Sequence, residues 1–227
     1  MLTIPITRNE TVYGWLYMAF ELLLLPSLLH GVNGSLAVPF TEAALNFIYF
    51  IVNFISIVWI FRRFLGRSLR KVRQHPAYFC QAVILGLAAY YACKALLDVL
   101  IPWIHPGFRN LNDEGILSMA RNNRFLMTVG TVLLVPTVEE CLYRGLIFRR
   151  LCDVSPWAGY LVSMLAFALI HIIGFVGVYS PMDLLVCLLQ YLPAGLCLAW
   201  SYKKADTIYA SILVHSLINL RSLMLMR

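Results

Sequence analysis

Apolar runs near residues 11–30, 40–61, 77–101, 125–148, 157–178, 182–202 and 206–226 take up most of this 227-residue chain. Each is close to the ~20 residues that a helix needs to cross the hydrocarbon of a bilayer. A spanning segment must satisfy its own backbone hydrogen bonds. Seven such runs therefore predict an all-α fold, a polytopic transmembrane helical bundle of about seven spans. Composition agrees: 61% of the residues are hydrophobic and 13% charged, against about 45–50% and about 25% in soluble domains. Too little charge remains to coat a water-facing surface, so a single membrane domain is expected. The first run lacks a strongly basic start and an A-x-A-like site, so it reads as an anchor rather than a cleaved signal.

The formal net charge of +7 matters less than its distribution. Arg62, Arg63, Arg67, Arg70, Lys71 and Arg73 crowd into what reads as one short loop between apolar runs. With that loop inside, Arg8, Arg149, Arg150, Lys203 and Lys204 fall inside too, while Arg109, Arg121, Arg124, Arg221 and Arg227 fall outside. The positive-inside rule then predicts a cytoplasmic N-terminus. A nucleic-acid partner is not expected, because no soluble surface remains to present the basic patch; anionic lipid headgroups are the natural counterpart. The six cysteines lie mostly in apolar runs without a CxxC pair, and read as small buried hydrophobes. Segment 102–124 reads as an extramembrane loop with room for a short interfacial helix.

Ionisable residues inside spans are costly and are functional candidates. Lys94 and Asp98 stand four apart on one helix face and can pair structurally. Glu21 has no partner visible in the sequence, while His30, His75 and His105 flank loops and read as solvated. The fourth span differs, running Val135-Pro136-Thr137-Val138-Glu139-Glu140-Cys141-Leu142-Tyr143-Arg144-Gly145. At 100° per residue, Glu139 and Glu140 point to different faces. Arg144 follows Glu140 at i+4, the favourable order for an ion pair. Glu139 is left alone, and a desolvated, unpaired carboxylate suits general-base work near neutral pH.

Later spans add Phe167-x-x-x-His171 and His215-x-x-x-Asn219. From assumed cytoplasmic ends at Arg149, Trp157 and Asp206, Glu139 lies roughly 15 Å deep, His171 roughly 21, His215 roughly 14 and Asn219 roughly 20. One layer thus gathers a carboxylate, two imidazoles and an amide. A Glu beside a His can deprotonate water, and a second His with an Asn can donate to an oxyanion. Such a set suits amide hydrolysis in a membrane cavity. The zinc-helix signature is missing, and only half of a G-x-S-x-G elbow occurs, at Gly66-Arg67-Ser68-Leu69-Arg70. Asp98 and Asp183 lie in unrelated contexts. Glu139, His171 and His215 could still ligate zinc with an open position for water.

The three motifs in this order resemble the CPBP (CAAX-protease and bacteriocin-processing, or Abi) family of intramembrane glutamic endopeptidases. That family's pattern is E-E-x-x-x-R, F-x-x-x-H and H-x-x-x-N; here it reads Glu139-Glu140-x-x-x-Arg144, Phe167-x-x-x-His171 and His215-x-x-x-Asn219. The likeness covers about residues 125–220. The chain accordingly divides into N-terminal helices and loops over 1–124 and a catalytic core of four spans over 125–227.

The resemblance implies an endopeptidase that cuts near the membrane, either close to a substrate C-terminus or after a leader. It implies that Glu139 and His171 activate water, that His215 and Asn219 form the oxyanion site, and that Glu140, Arg144 and Phe167 support it. The expected partners are a membrane-associated protein or peptide and the bilayer, in a bacterial plasma membrane. No cofactor is expected, with zinc as the alternative. Since the family includes immunity proteins, the rival class is a non-catalytic bacteriocin-immunity or scaffold protein. A proton-coupled transporter, which also uses buried Glu and His, comes third.

Overall fold

The computed structural model describes residues 2–225, so Arg227, counted above with the outer charges, lies outside the described residues. The chain is a bundle of helices, with no strand among the described residues. Helix α1 (Arg8–Leu23) meets α2 (Leu25–Gly34) at a bend of 47°. Next come α3 (Glu42–Ile60), α4 (Arg62–Gln74), α5 (Pro76–Ile104) and α6 (Leu111–Asn122). The C-terminal half holds α7 (Arg124–Val154), α8 (Pro156–Ile170), α9 (Pro181–Ala205) and α10 (Ile208–Leu225).

Among the described residues, helices α3, α5, α7, α9 and α10 are long and apolar enough to cross a bilayer, and the bent pair α1–α2, taken as one span, makes a sixth. The difference from seven lies in α8. The expected span over 157–178 ends as a helix at Ile170, after 15 residues, or about 22 Å of rise. Past His171 the chain enters a short 3-10 turn and then Gly177, whose φ of 84° is left-handed and cannot continue a helix. The bilayer reading is supported by what faces outward. Trp59, Trp103 and Trp157 stand exposed near helix ends, where aromatic belts meet the membrane interface.

The basic segment is not a loop. It forms α4, because Phe61, Phe64, Leu65 and Ser68 recur at helical spacing and bury against the bundle, which leaves Arg62, Arg63, Arg70 and Arg73 exposed on the other face. Its first turn is held by Glu10. That carboxylate caps α1 through Thr7, accepts the Phe64 amide at 2.7 Å and pairs with Arg67 at 3.1 Å. Asp206, between α9 and α10, accepts the Thr3 amide at 2.8 Å and pairs with Lys71 at 3.3 Å.

Helix α9 is the central post, packed against α5, α8 and α10. Small residues permit the close approaches that drive helix association in lipid. Gly195 of α9 lies against the Met164 backbone of α8, and Gly86 of α5 against Ser201 of α9. The cysteines are free; Cys141, Cys187 and Cys197 are buried, but Cys80 and Cys93 are exposed on α5 and are not core residues. Helix α7 is the irregular element. Its Gly130–Leu134 and Glu140–Phe148 stretches are π-helical, a geometry that often marks functional sites.

Candidate active site

Helix α7, the end of α8 and α10 face one cavity of about 380 Å³. Glu139, His171, His215 and Asn219 all line it, with Phe167 and Tyr143 beside them. Glu140 and Arg144 lie behind this wall, both fully buried. The adjacent glutamates therefore face different surroundings, one the cavity and one the interior. His171 is not within a helix but directly follows α8.

The buried layer is a network centred on Glu140. Arg144 donates to its Oε1 at 3.0 Å and to the Gly195 carbonyl at 3.2 Å. The pair forms although Glu140 opens a π-helical stretch and the regular 100° step does not hold there. The guanidinium also sits 4.2 Å from the Phe167 ring centre, a cation–π contact that gains weight in a desolvated site. His215 donates from Nδ1 to the same Glu140 Oε1 at 2.9 Å. Its other nitrogen, Nε2, stands 3.9 Å from Glu139 Oε2.

His171 is oriented differently, by backbone and aromatics. Its Nδ1 donates to the Phe167 carbonyl at 2.7 Å, and its ring stacks on Tyr191 at 4.2 Å. Phe167 contacts both imidazoles, with ring centres 4.7 Å from His171 and 5.6 Å from His215. A carbonyl and a carboxylate only accept, so both imidazoles carry a proton on Nδ1. In their neutral forms they present Nε2 as an acceptor. His215 can donate to an oxyanion through Nε2 only as the imidazolium. Asn219 donates from Nδ2 to the Thr131 carbonyl at 2.8 Å, so one of its two amide protons is committed to the first π-helical stretch of α7.

Three members of this layer leave no mark in the motifs: Thr131, Tyr191 and Gly195. Gly195 carries a partial signal, since Pro193 stands inside α9 two residues earlier. Two residues singled out above also turn out differently. His105 is not simply solvated but pairs with Asp183, Nε2 to Oδ1 at 2.9 Å. Glu21 does have a partner: the Tyr49 hydroxyl donates to its Oε1 at 3.1 Å.

Lys94 and Asp98 pair at 2.8 Å and both line the cavity. Asp113 of α6 lines it as well; burial pushes its carboxyl above the usual range, and the Lys94 cation opposes that. Among the described residues, no group of three or more His, Cys, Asp or Glu side chains is arranged to hold a metal ion. In the set a zinc site would use, both imidazoles have Nδ1 engaged, which leaves only Nε2 and the Glu139 carboxylate.

No curated protein and no solved structure matches the chain. Residues 121–221 match the family described as Rce1-like, type II CAAX prenyl endopeptidase Rce1-like. That stretch contains all three motifs and every residue of the buried layer, and over it the chain is similar to the type II CAAX prenyl endopeptidases of the Rce1-like family.

Proposed function

We propose that this multi-pass membrane protein is an intramembrane endopeptidase of the glutamic type, acting on a membrane-associated protein or peptide. The observation that carries this reading is the division of labour in α7. Arg144 and His215 both engage Glu140, while Glu139 lines the cavity and its Oε2 has no hydrogen-bond partner among the described residues, with His215 Nε2 3.9 Å away.

The geometry suggests the following sequence. Water bound between Glu139 and His171 attacks the scissile carbonyl carbon, and Glu139 takes its proton as general base. His171 Nε2 accepts a hydrogen bond from the water's second O–H, which stays on the attacking oxygen, and so orients the attack. The oxyanion receives the uncommitted amide proton of Asn219 and, from the imidazolium form, the Nε2 proton of His215. The C–N bond then breaks as the proton held by Glu139 passes to the leaving amine. Each residue has one task, and no metal is required for any of them. The exposed arginines of α4 favour placing that helix, and with it the N-terminus, on the cytoplasmic side.

The test is cleavage of an internally quenched, prenylated CAAX peptide by the full chain in detergent, alongside the peptidome of membranes from cells carrying each form. Glu139→Gln is expected to insert normally and lose at least about a hundredfold in cleavage. Undiminished turnover by that variant would remove the glutamic mechanism. Biological activity that survives without cleavage would make the chain an immunity or scaffold protein.

Chelation gives an independent check. Exhaustive treatment with a strong chelator is expected to leave turnover within a few fold, with no stoichiometric zinc in the purified protein. Inactivation that added zinc reverses would turn Glu139, His171 and His215 into ligands.

A further inference from the structure

Glu21 is a buried carboxylate of the cavity that the proposed mechanism leaves idle. It comes from α1, outside the Rce1-like region of residues 121–221, yet it lines the same cavity as Glu139. The residue is only 9% exposed. Its Oε1 accepts from Tyr49, while Oε2 has no protein partner among the described residues.

Its position is unfavourable on two counts. A carboxylate inside a span is costly. It also sits in the last turn of α1, close to the bend at Leu24, where the helix dipole disfavours negative charge. Tyr49 and Asn53 of α3 line the cavity next to it, and Tyr17 donates to the Asn53 side chain at 2.7 Å. So α1 and α3 together present a polar wall to the cavity.

We infer that Glu21 is a substrate-binding carboxyl of this site, whose Oε2 accepts a hydrogen bond from an N–H group of the polypeptide held in the cavity. This rests on the endopeptidase reading. An extended peptide entering a membrane cavity brings backbone N–H groups that have left water and need acceptors. A buried acceptor with one oxygen fixed by Tyr49 and the other unpaired among the described residues answers that need. The N-terminal helices then contribute to substrate recognition, while the Rce1-like region supplies the chemistry.

The probe is a fluorescent, prenylated CAAX peptide, used in two arms with the full chain in detergent. In the first, Glu21→Leu is expected to raise KM at least tenfold with kcat within about threefold of wild type, since Leu removes the acceptor but keeps the bulk. Glu21→Gln keeps one acceptor oxygen and is expected to fall between. In the second arm, peptide binding is measured by anisotropy with Glu139→Gln and with Glu139→Gln/Glu21→Leu, and the double variant should bind at least tenfold more weakly. Unchanged KM and binding in Glu21→Leu would overturn the assignment while leaving the endopeptidase reading intact. A loss of kcat alone, or of melting temperature with unchanged KM, would make Glu21 structural and also overturn it. A wild type that neither binds nor cleaves the peptide would remove the endopeptidase reading first, and this one with it.

Discussion

Glu140 is where the buried network converges, because Arg144 and His215 donate to the same oxygen. Removing that carboxylate strands a guanidinium and an imidazole N–H in the interior. Breaking a buried pair in this way costs about 3–5 kcal/mol. Glu140→Ala and Arg144→Ala are therefore expected to melt well below wild type in a common detergent, with activity falling as a consequence. Glu139 supports no such network, so Glu139→Ala should melt at or above wild type while cleavage disappears. If Glu139→Ala melts lowest of the three, the two roles are reversed. The i+4 spacing made the Glu140–Arg144 pair legible in the sequence. His215 as its third member was not, since that contact joins residues 75 apart. The same holds for Asn219 on the Thr131 carbonyl and Tyr191 on His171: pairings made across helices leave no local spacing to read.

Between elements, the site depends on how closely α9 approaches α8. A Cβ on Gly195 would lie 2.9 Å from Met164 Cα and 3.1 Å from the Met164 carbonyl oxygen, backbone atoms that cannot rotate away. The Gly195 carbonyl is also an acceptor for Arg144. Gly195→Leu is thus expected to push the helices apart, cost about 1–3 kcal/mol from overpacking and lower turnover through the displaced guanidinium. Gly174→Ala, where a Cβ meets nothing within 4 Å, serves as the neutral control. Equal melting and turnover in the two variants would show that the contact is not tight. Long apolar runs made the spanning helices legible. The ends were harder: α8 stops at Ile170 because of the turn beyond it, not because apolar residues run out. Helix α4 hid behind its arginines, although Phe61, Phe64, Leu65 and Ser68 carry the helical period. Charge count outweighed spacing in that reading.

Across the whole molecule, the N-terminal half must be held against the Rce1-like region for the cavity to have two walls. Glu10 is the residue that locks α1 to α4. It accepts from the Thr7 amide at 2.9 Å, the Thr7 hydroxyl at 2.8 Å, the Phe64 amide at 2.7 Å and Arg67 at 3.1 Å. Phe64, fully buried, packs in the same core cluster as Leu146 and Phe148 of α7, so the lock reaches the helix that carries the glutamates. Glu10→Ala removes half of the α1 capping box, a loss of about 0.5–2 kcal/mol. It also leaves the buried Phe64 amide unpaired, at a further cost of about 1–3 kcal/mol. Glu10→Gln keeps an acceptor for that amide and gives up mainly the ion pair with Arg67, which is partly exposed and worth about 1 kcal/mol or less. The expected order of melting temperature is wild type, then Glu10→Gln, then Glu10→Ala. Because Glu10 does not line the cavity, kcat measured well below the transition should be close to wild type in both. A Glu10→Gln variant as unstable as Glu10→Ala would locate the lock in the charge rather than in the amide of α4. A fall in kcat at low temperature would mean that α1 and α4 set the geometry of the catalytic wall as well as its stability.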